Sequence, residues 1–105
     1  MSVLMVLRVK GDPKKLEEYS AAHPDQLRSF AEAARGHGMT AHRFYGSAGE
    51  IMVVDEWPDQ DSFEAFFAEK GQEIGGMFQE AGVSEEPRPE FWQVLDTADK
   101  VGWES

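Results

Sequence analysis

Gly49–Ala68 reads GEIMVVDEWPDQDSFEAFFA. Its first half is apolar at both parities, Ile51 and Val53 on one side, Met52 and Val54 on the other, and turns acidic at Asp55 and Glu56. Successive side chains of a strand point to opposite faces, so a strand apolar at both parities is buried on both. Pro58 has no N–H to give a ladder and closes the strand after Trp57. Asp59 stands where a helix cap belongs, and Asp61 and Glu64 favour the positive helix end. Phe63, Phe66 and Phe67 follow at i, i+3, i+4 spacing, the stripe of a helix that buries one side.

A second two-sided apolar run, VLMVLRV, spans Val3–Val9: Val3, Met5, Leu7 and Val9 on one parity, Leu4 and Val6 on the other, with Arg8 and Lys10 interrupting the second. Gly11-Asp12-Pro13 opens a helix, Asp12 as cap and Pro13 at its first position, with Leu16 and Tyr19 on one face. Pro24 breaks that helix, and a second piece carries Leu27, Phe30 and Ala34 until Gly36 and Gly38 stop it. Thr40–Tyr45 alternates as a strand, and Gly46–Gly49 turns it back into the central strand as a hairpin. Beyond Phe67, Gly71 predicts a break. A further helical piece then carries Ile74, Met77, Phe78 and Ala81, and Gly75 and Gly76 each weaken it by about 1 kcal/mol relative to Ala. Ser84–Pro89 is a polar loop, Glu90–Asp96 a last strand, and Thr97–Ser105 a polar tail bearing Trp103.

The order β-α-β-β-α-β predicts an α+β fold, a ferredoxin-like sandwich with helices on one face of a four-stranded antiparallel sheet. Residues 1–96 form the domain and 97–105 a tail. The strands with two apolar faces take the centre; those carrying His42, Arg43, Glu90 and Gln93 take the edges. The face turned from the helices then keeps either Leu4 and Val6 or Val3, Met5 and Leu7. Leaving such side chains wet costs about 1.5–3 kcal/mol each. A second copy is the expected cover, giving a homodimer that pairs as a dimeric α/β barrel; the tail with Trp103 is the alternative cover.

The chain has 105 residues, 41% hydrophobic and 29% charged, which suits one folded domain. A domain this small buries only roughly two-thirds of its unfolded surface, so self-association is a natural gain. Its formal charge of −10 repels phosphate, so neither nucleic acid nor an anionic membrane is an expected partner. The absence of cysteine removes disulfides, thiolate nucleophiles and Cys-held metals. Val3–Leu7 is too short for a signal peptide or a membrane span, and the cytoplasm is the expected compartment.

The run VVDEWPDQDSFEAFF, the element order and the closing FWQVL strand resemble the dimeric α/β-barrel superfamily, and within it the antibiotic biosynthesis monooxygenase group, over roughly Ser2–Asp96. The resemblance implies the fold and the dimer. It also implies a possible cofactor-free monooxygenase acting on a flat aromatic or polyketide-like molecule. Of the residues that the quinone-forming members use, Trp57 matches a Trp just after the third strand. Phe63 stands in place of their aromatic hydroxyl, Val53 in place of their Asn, and the position of their Arg falls near Met77. The haem-degrading members' Trp and His positions fall at Phe66 and near Gly76, leaving haem without an axial ligand, so no cofactor is expected. A pair of His found in other members falls at Phe66 and Gly71.

Of three histidines, His23 and His37 sit at helix breaks and read as solvated punctuation, while His42 lies on a strand and is the credible imidazole acid–base. One of Asp55 and Glu56 must face the helices. Asp55 facing an apolar cavity is a second candidate base, but an ion pair with Arg8 on the neighbouring strand is the favoured reading, since unpaired buried charge is costly. Trp57, Phe63, Phe66 and Trp92 are candidate apolar walls for a ligand, with plain core packing favoured for Trp57. Arg8 or Arg43 would hold a substrate anion, and Tyr45 would donate a hydrogen bond. No metal-ligand spacing appears, so no metal site is expected. Three readings stay open: a cofactor-free monooxygenase-like enzyme of a flat aromatic or polyketide-like molecule, a non-catalytic binding module, and a structural or stress-related dimer with no ligand.

Overall fold

The two strands with apolar residues at both parities lie at the centre of the sheet. The computed structural model describes residues 2–102. Among these the elements run β1 (Val3–Lys10), α1 (Pro13–Ala22), α2 (Pro24–Gly36), β2 (Ala41–Ser47), β3 (Glu50–Trp57), α3 (Gln60–Glu80) and β4 (Glu90–Gln93). The sheet order is β2-β3-β1-β4, every neighbour antiparallel. This is the ferredoxin-like α+β sandwich that the element order predicts. No helix among the described residues is long and apolar enough to cross a membrane.

Register fixes the faces. Met5 lies opposite Asp55, Leu7 opposite Val53 and Val9 opposite Ile51, and all six side chains are buried toward the helices. They share one core with Leu16 of α1, Phe30 and Ala34 of α2, and Phe63, Phe66, Met77 and Phe78 of α3. The other parity of the same strands, Leu4, Val6, Met52 and Val54, is only half-buried.

Local chemistry sets the joints. Asp12 caps α1 by accepting from the Lys14 N–H, and Pro13 takes the first helical position. Pro24 starts α2 rather than kinking α1, with His23 between them accepting the Leu27 N–H on its carbonyl. Gly38 holds φ +103, a region that suits glycine, and lets α2 turn back toward the sheet. Gly49, at φ +71, closes the β2–β3 hairpin.

The structure corrects three expectations. Helix α3 runs unbroken through Gly71, Gly75 and Gly76. Burial of Phe63, Phe66, Met77 and Phe78 along one face outweighs the propensity cost of about 1 kcal/mol per glycine. Strand β4 ends at Gln93 instead of Asp96, and Val94 and Leu95 are exposed. Arg8 does not pair with Asp55: it lies opposite Met52 on the outer face and pairs with Glu50 at 3.1 Å. The proposed cover by Trp103 falls outside the described residues.

Asp59 caps α3, accepting from the Ser62 hydroxyl and the Ser62 backbone N–H, each at 2.8 Å. These bonds, the hydroxyl's first, hold its carboxyl below the ordinary 3.8. A carboxyl depressed by folding stabilises the fold above its unfolded pKa, and that contribution is lost as pH falls through the folded value. Asp59→Asn, which keeps an N-cap acceptor, is expected to flatten this acid limb. Asp59→Ala should lower stability at neutral pH as well. Urea midpoints measured from neutral pH down through the carboxylate range check both.

Candidate functional site

Between the sheet and the helices lies a cavity of about 300 Å³, open to solvent on one side. It sits at the lower end of small-molecule sites, roughly 300–1,000 Å³. Its floor is the inner parity of the sheet: Met5 and Leu7 of β1, His42 and Phe44 of β2, Val53 and Asp55 of β3. Helix α2 gives Leu27, Phe30 and Arg28, and α3 gives Phe63, Phe66 and Phe67 near one end and Ile74, Met77 and Phe78 near the other. The unbroken α3 is therefore the cavity's long wall.

Asp55 is the only buried charged or polar side chain among the described residues, at 5% exposure. The sheet puts it there: Asp55 lies opposite Met5 on one side and opposite His42 on the other. Directly opposed residues of antiparallel strands share a face, so His42 reaches the carboxylate. His42 Nδ1 and Asp55 Oδ1 are 2.6 Å apart. Trp57, two residues along the same strand and on the same face, donates its Nε1–H to Oδ2 at 3.2 Å. Both carboxylate oxygens are thereby occupied, which offsets the cost of burying the charge.

This arrangement has chemical content. With Nδ1–H donating to Asp55, the imidazole is fixed as the tautomer whose Nε2 is a lone-pair acceptor. A neutral imidazole so oriented presents Nε2 as an acceptor for a ligand hydroxyl. His42 is one-third exposed, so the pair bridges a buried anion and an accessible ring. The ring is held in turn by an edge contact with Phe44, which meets Phe78 edge-on.

The residues named from sequence separate into two groups. His42, Asp55, Phe63 and Phe66 all line the cavity. Trp57 lies behind it, fully buried, packed against Phe63 and Phe66 at 5.6 and 5.5 Å between ring centroids. It acts as core and as the donor to Asp55 rather than as a wall. Arg8, Arg43, Tyr45 and Trp92 do not meet the cavity. Their register partners, Met52, Val54, Met52 and Leu4, all belong to the outer parity, so pleating alone removes them from the site. Phe91, not Trp92, is the inner aromatic of β4, meeting Phe63.

Arg28 escaped the sequence reading, as did Phe30 and Ile74 as cavity residues. The available signal was positional: Arg28 is three residues before Ala31, at the flank of the Leu27–Phe30–Ala34 stripe. Of the other histidines, His23 stacks on Tyr19, and His37 pairs with Glu69 at 2.8 Å, tying the end of α2 to α3. No group of three or more His, Cys, Asp or Glu able to hold a metal ion occurs among the described residues.

Solved structures share this architecture. SnoaB from Streptomyces nogalater, a cofactor-independent oxygenase, aligns with a TM-score of 0.64 at 16% identity over 94% of this chain and 98% of its own. The chain shares its fold with proteins described as antibiotic biosynthesis monooxygenases. The monooxygenase of ActVA-Orf6 from Streptomyces coelicolor, solved with nanaomycin D, aligns at 0.66 and 10% identity over 95% of this chain and 93% of its own. A dimeric ferredoxin-like protein from an uncultured marine organism aligns at 0.64 and 12% identity, with the same coverages of 95% and 93%. At these identities the likeness is one of fold. No family model matches the sequence, and no curated protein sequence does.

Trp57→Ala removes a fully buried indole and leaves Asp55 Oδ2 without its donor. The expected loss is about 3–5 kcal/mol of stability in urea unfolding. Trp57→Phe, which keeps most of the packing and loses only the donor, should cost less than Trp57→Ala. Unchanged stability of Trp57→Ala would contradict the core assignment.

Proposed function

We propose that the chain is a homodimeric, cofactor-independent monooxygenase of a flat aromatic molecule with an acidic hydroxyl, and that His42, held by Asp55, is its general base. The observation that carries this reading is the 2.6 Å His42–Asp55 pair set in the floor of a cavity whose lining is apolar apart from this pair and Arg28. The fold shared with SnoaB, described as a cofactor-independent oxygenase, supports the reaction class, and the ActVA-Orf6 monooxygenase solved with the ligand nanaomycin D supports an organic small-molecule ligand.

The chemistry needs little from the protein beyond deprotonation and positioning. His42 Nε2 takes the hydroxyl proton, and the aromatic oxyanion delivers charge into its ring. Dioxygen, the oxidant, forms a C–O bond at a hydrogen-bearing ring carbon. The proton held by His42 returns to the distal oxygen, giving a hydroperoxide. Loss of the C–H proton as the O–O bond breaks expels water and leaves a quinone carbonyl. One oxygen atom of dioxygen stays in the product and the other leaves as water. Phe63 and Phe66 would stack the substrate rings.

The dimer reading is supported by the outer face. Leu4, Val6, Met52 and Val54 form a half-buried apolar patch, flanked by Tyr45 at 43% and Trp92 at 56% exposure. Arg8, Arg43, Glu56 and Glu90 share that face, giving it the polar rim of an interface. A second copy seated there leaves each cavity on the far side, free to admit a ligand. A second reading, a ligand-binding dimer without turnover, is favoured by one set of residues. Val53, Phe63 and Met77 put apolar groups where the resemblance sets functional ones.

Oxygen uptake with anthrone tests the enzyme reading. The expected result is uptake by the native protein and a loss of about a hundredfold or more in His42→Ala, assayed well below a melting temperature that falls because Asp55 Oδ1 loses its partner. Equal rates in the two proteins would remove His42 from the mechanism; anthrone bound without oxygen uptake would favour the binding module. Sedimentation is expected to give twice the chain mass of 11.8 kDa, and Val54→Asp to give the single mass. A native particle of 11.8 kDa would end the dimer reading.

A further inference from the structure

Taking the cavity as the substrate site, as proposed above, we infer that its ligand carries a carboxylate besides the hydroxyl offered to His42, and that Arg28 receives it. Beyond His42 and Asp55, Arg28 is the one polar side chain among the described residues that lines the cavity. Asp55 already bonds His42 and Trp57 through its two oxygens, and as an acceptor-only carboxylate it cannot receive a ligand anion. A bound molecule therefore finds two polar anchors in an apolar lining: the imidazole Nε2, which wants a proton, and a guanidinium, which wants an anion.

Arg28 lines the cavity while its side chain is 70% exposed, so it stands where the cavity meets solvent. Its partner in the protein is weak. Asp25, one turn earlier on α2, accepts a single bond from Nη1 at 3.0 Å and is itself 99% exposed. Such exposed i, i+3 pairs add little to stability and exchange readily. A guanidinium has five N–H donors in a planar fork that fits a carboxylate with two parallel bonds, and Asp25 uses one. A ligand carboxylate can thus engage Arg28 without stripping the fold of a needed contact.

Charge supports a monoanion over a phosphate. The chain carries −10 overall, so a guanidinium at the cavity mouth, held only by the exposed Asp25, is a local exception to a repelling field. One guanidinium balances one negative charge; a phosphate monoester would bring close to two. A flat aromatic body with a hydroxyl for His42 and a carboxylate for Arg28 matches this lining of one base, apolar side chains and one cation.

Equilibrium binding followed by naphthalene fluorescence tests the inference. The probes are a hydroxynaphthoate whose hydroxyl and carboxylate sit on opposite rings, and the corresponding naphthol without the carboxylate. The native protein is expected to bind the hydroxynaphthoate about fivefold tighter than the naphthol, with the preference shrinking as salt rises. Arg28→Gln should erase the preference without weakening naphthol binding, and Asp25→Asn should keep or enlarge it. Arg28 is exposed, so an unchanged melting curve will show that Arg28→Gln folds. Naphthol binding with no carboxylate preference, or a preference that survives Arg28→Gln, would reduce Arg28 to a solvated partner of Asp25 and leave the cavity reading standing. Failure of both probes to bind would remove the cavity as a substrate site, and this inference with it.

Discussion

The alternation of β3 governs this molecule. Ile51, Val53, Asp55 and Trp57 point to the helices; Met52, Val54 and Glu56 point away. A carboxylate thereby lies in line with three apolar side chains and is buried with them. Burial of a charge is tolerated only where its oxygens are bonded, and the two bonds come from the two directions the sheet provides. Trp57 supplies one along the same strand, and His42 supplies the other across the ladder. A slip of one residue in the β2–β3 register would send His42 to the outer face and leave Asp55 short of a partner. Packing, register and the candidate chemistry are one constraint.

The same alternation separates two tasks. The inner parity of the sheet makes the floor of the cavity, and the outer parity makes a patch ready for association. The cavity lining and the outer apolar patch thus share strands without sharing side chains. Helix α3 completes the inner side. Phe63 and Phe66 pack on Trp57, while Met77 and Phe78 reach the region near Phe44, so one continuous helix spans the site from its buried indole to its edge strand. Gly71 fits closely within it, since a Cβ there would lie 3.1 Å from the Phe67 ring. At Gly71 glycine is thus a packing choice, whereas a Cβ at Gly75 or Gly76 would meet open space and those two are a propensity cost alone.

The site differs from what the family resemblance leads one to seek. Where those relatives would show a hydroxyl, an Asn and an Arg, this chain shows Phe63, Val53 and Met77, all apolar and all in the cavity wall. Polarity is concentrated instead at the floor, in His42 and Asp55, and at the mouth, in Arg28. A fold can keep its cavity while its polar anchors move to other strands and helices, because an inward-facing position on any strand of the floor gives access to the same space.

Read alone, the sequence determined the element order, the central placement of β1 and β3, the caps at Asp12 and Asp59, and the break at Pro24. Each of these follows from local rules of backbone geometry and from a period of alternation that needs no knowledge of neighbours. It also singled out His42 and Asp55 as candidate groups, though it paired Asp55 with Arg8. Only the tertiary structure decided the parity of each face. Met5 lies opposite Asp55, so Arg8 falls three residues further along, opposite Met52 and turned outward. That single fact of register exchanged Arg8 for His42 as the carboxylate's partner and sent Arg43, Tyr45 and Trp92 away from the cavity. The continuity of α3 and the place of Arg28 at the cavity mouth were likewise settled by packing between elements distant in sequence. Propensity and spacing cannot weigh such contacts, because the surfaces that make them exist only once the chain has folded.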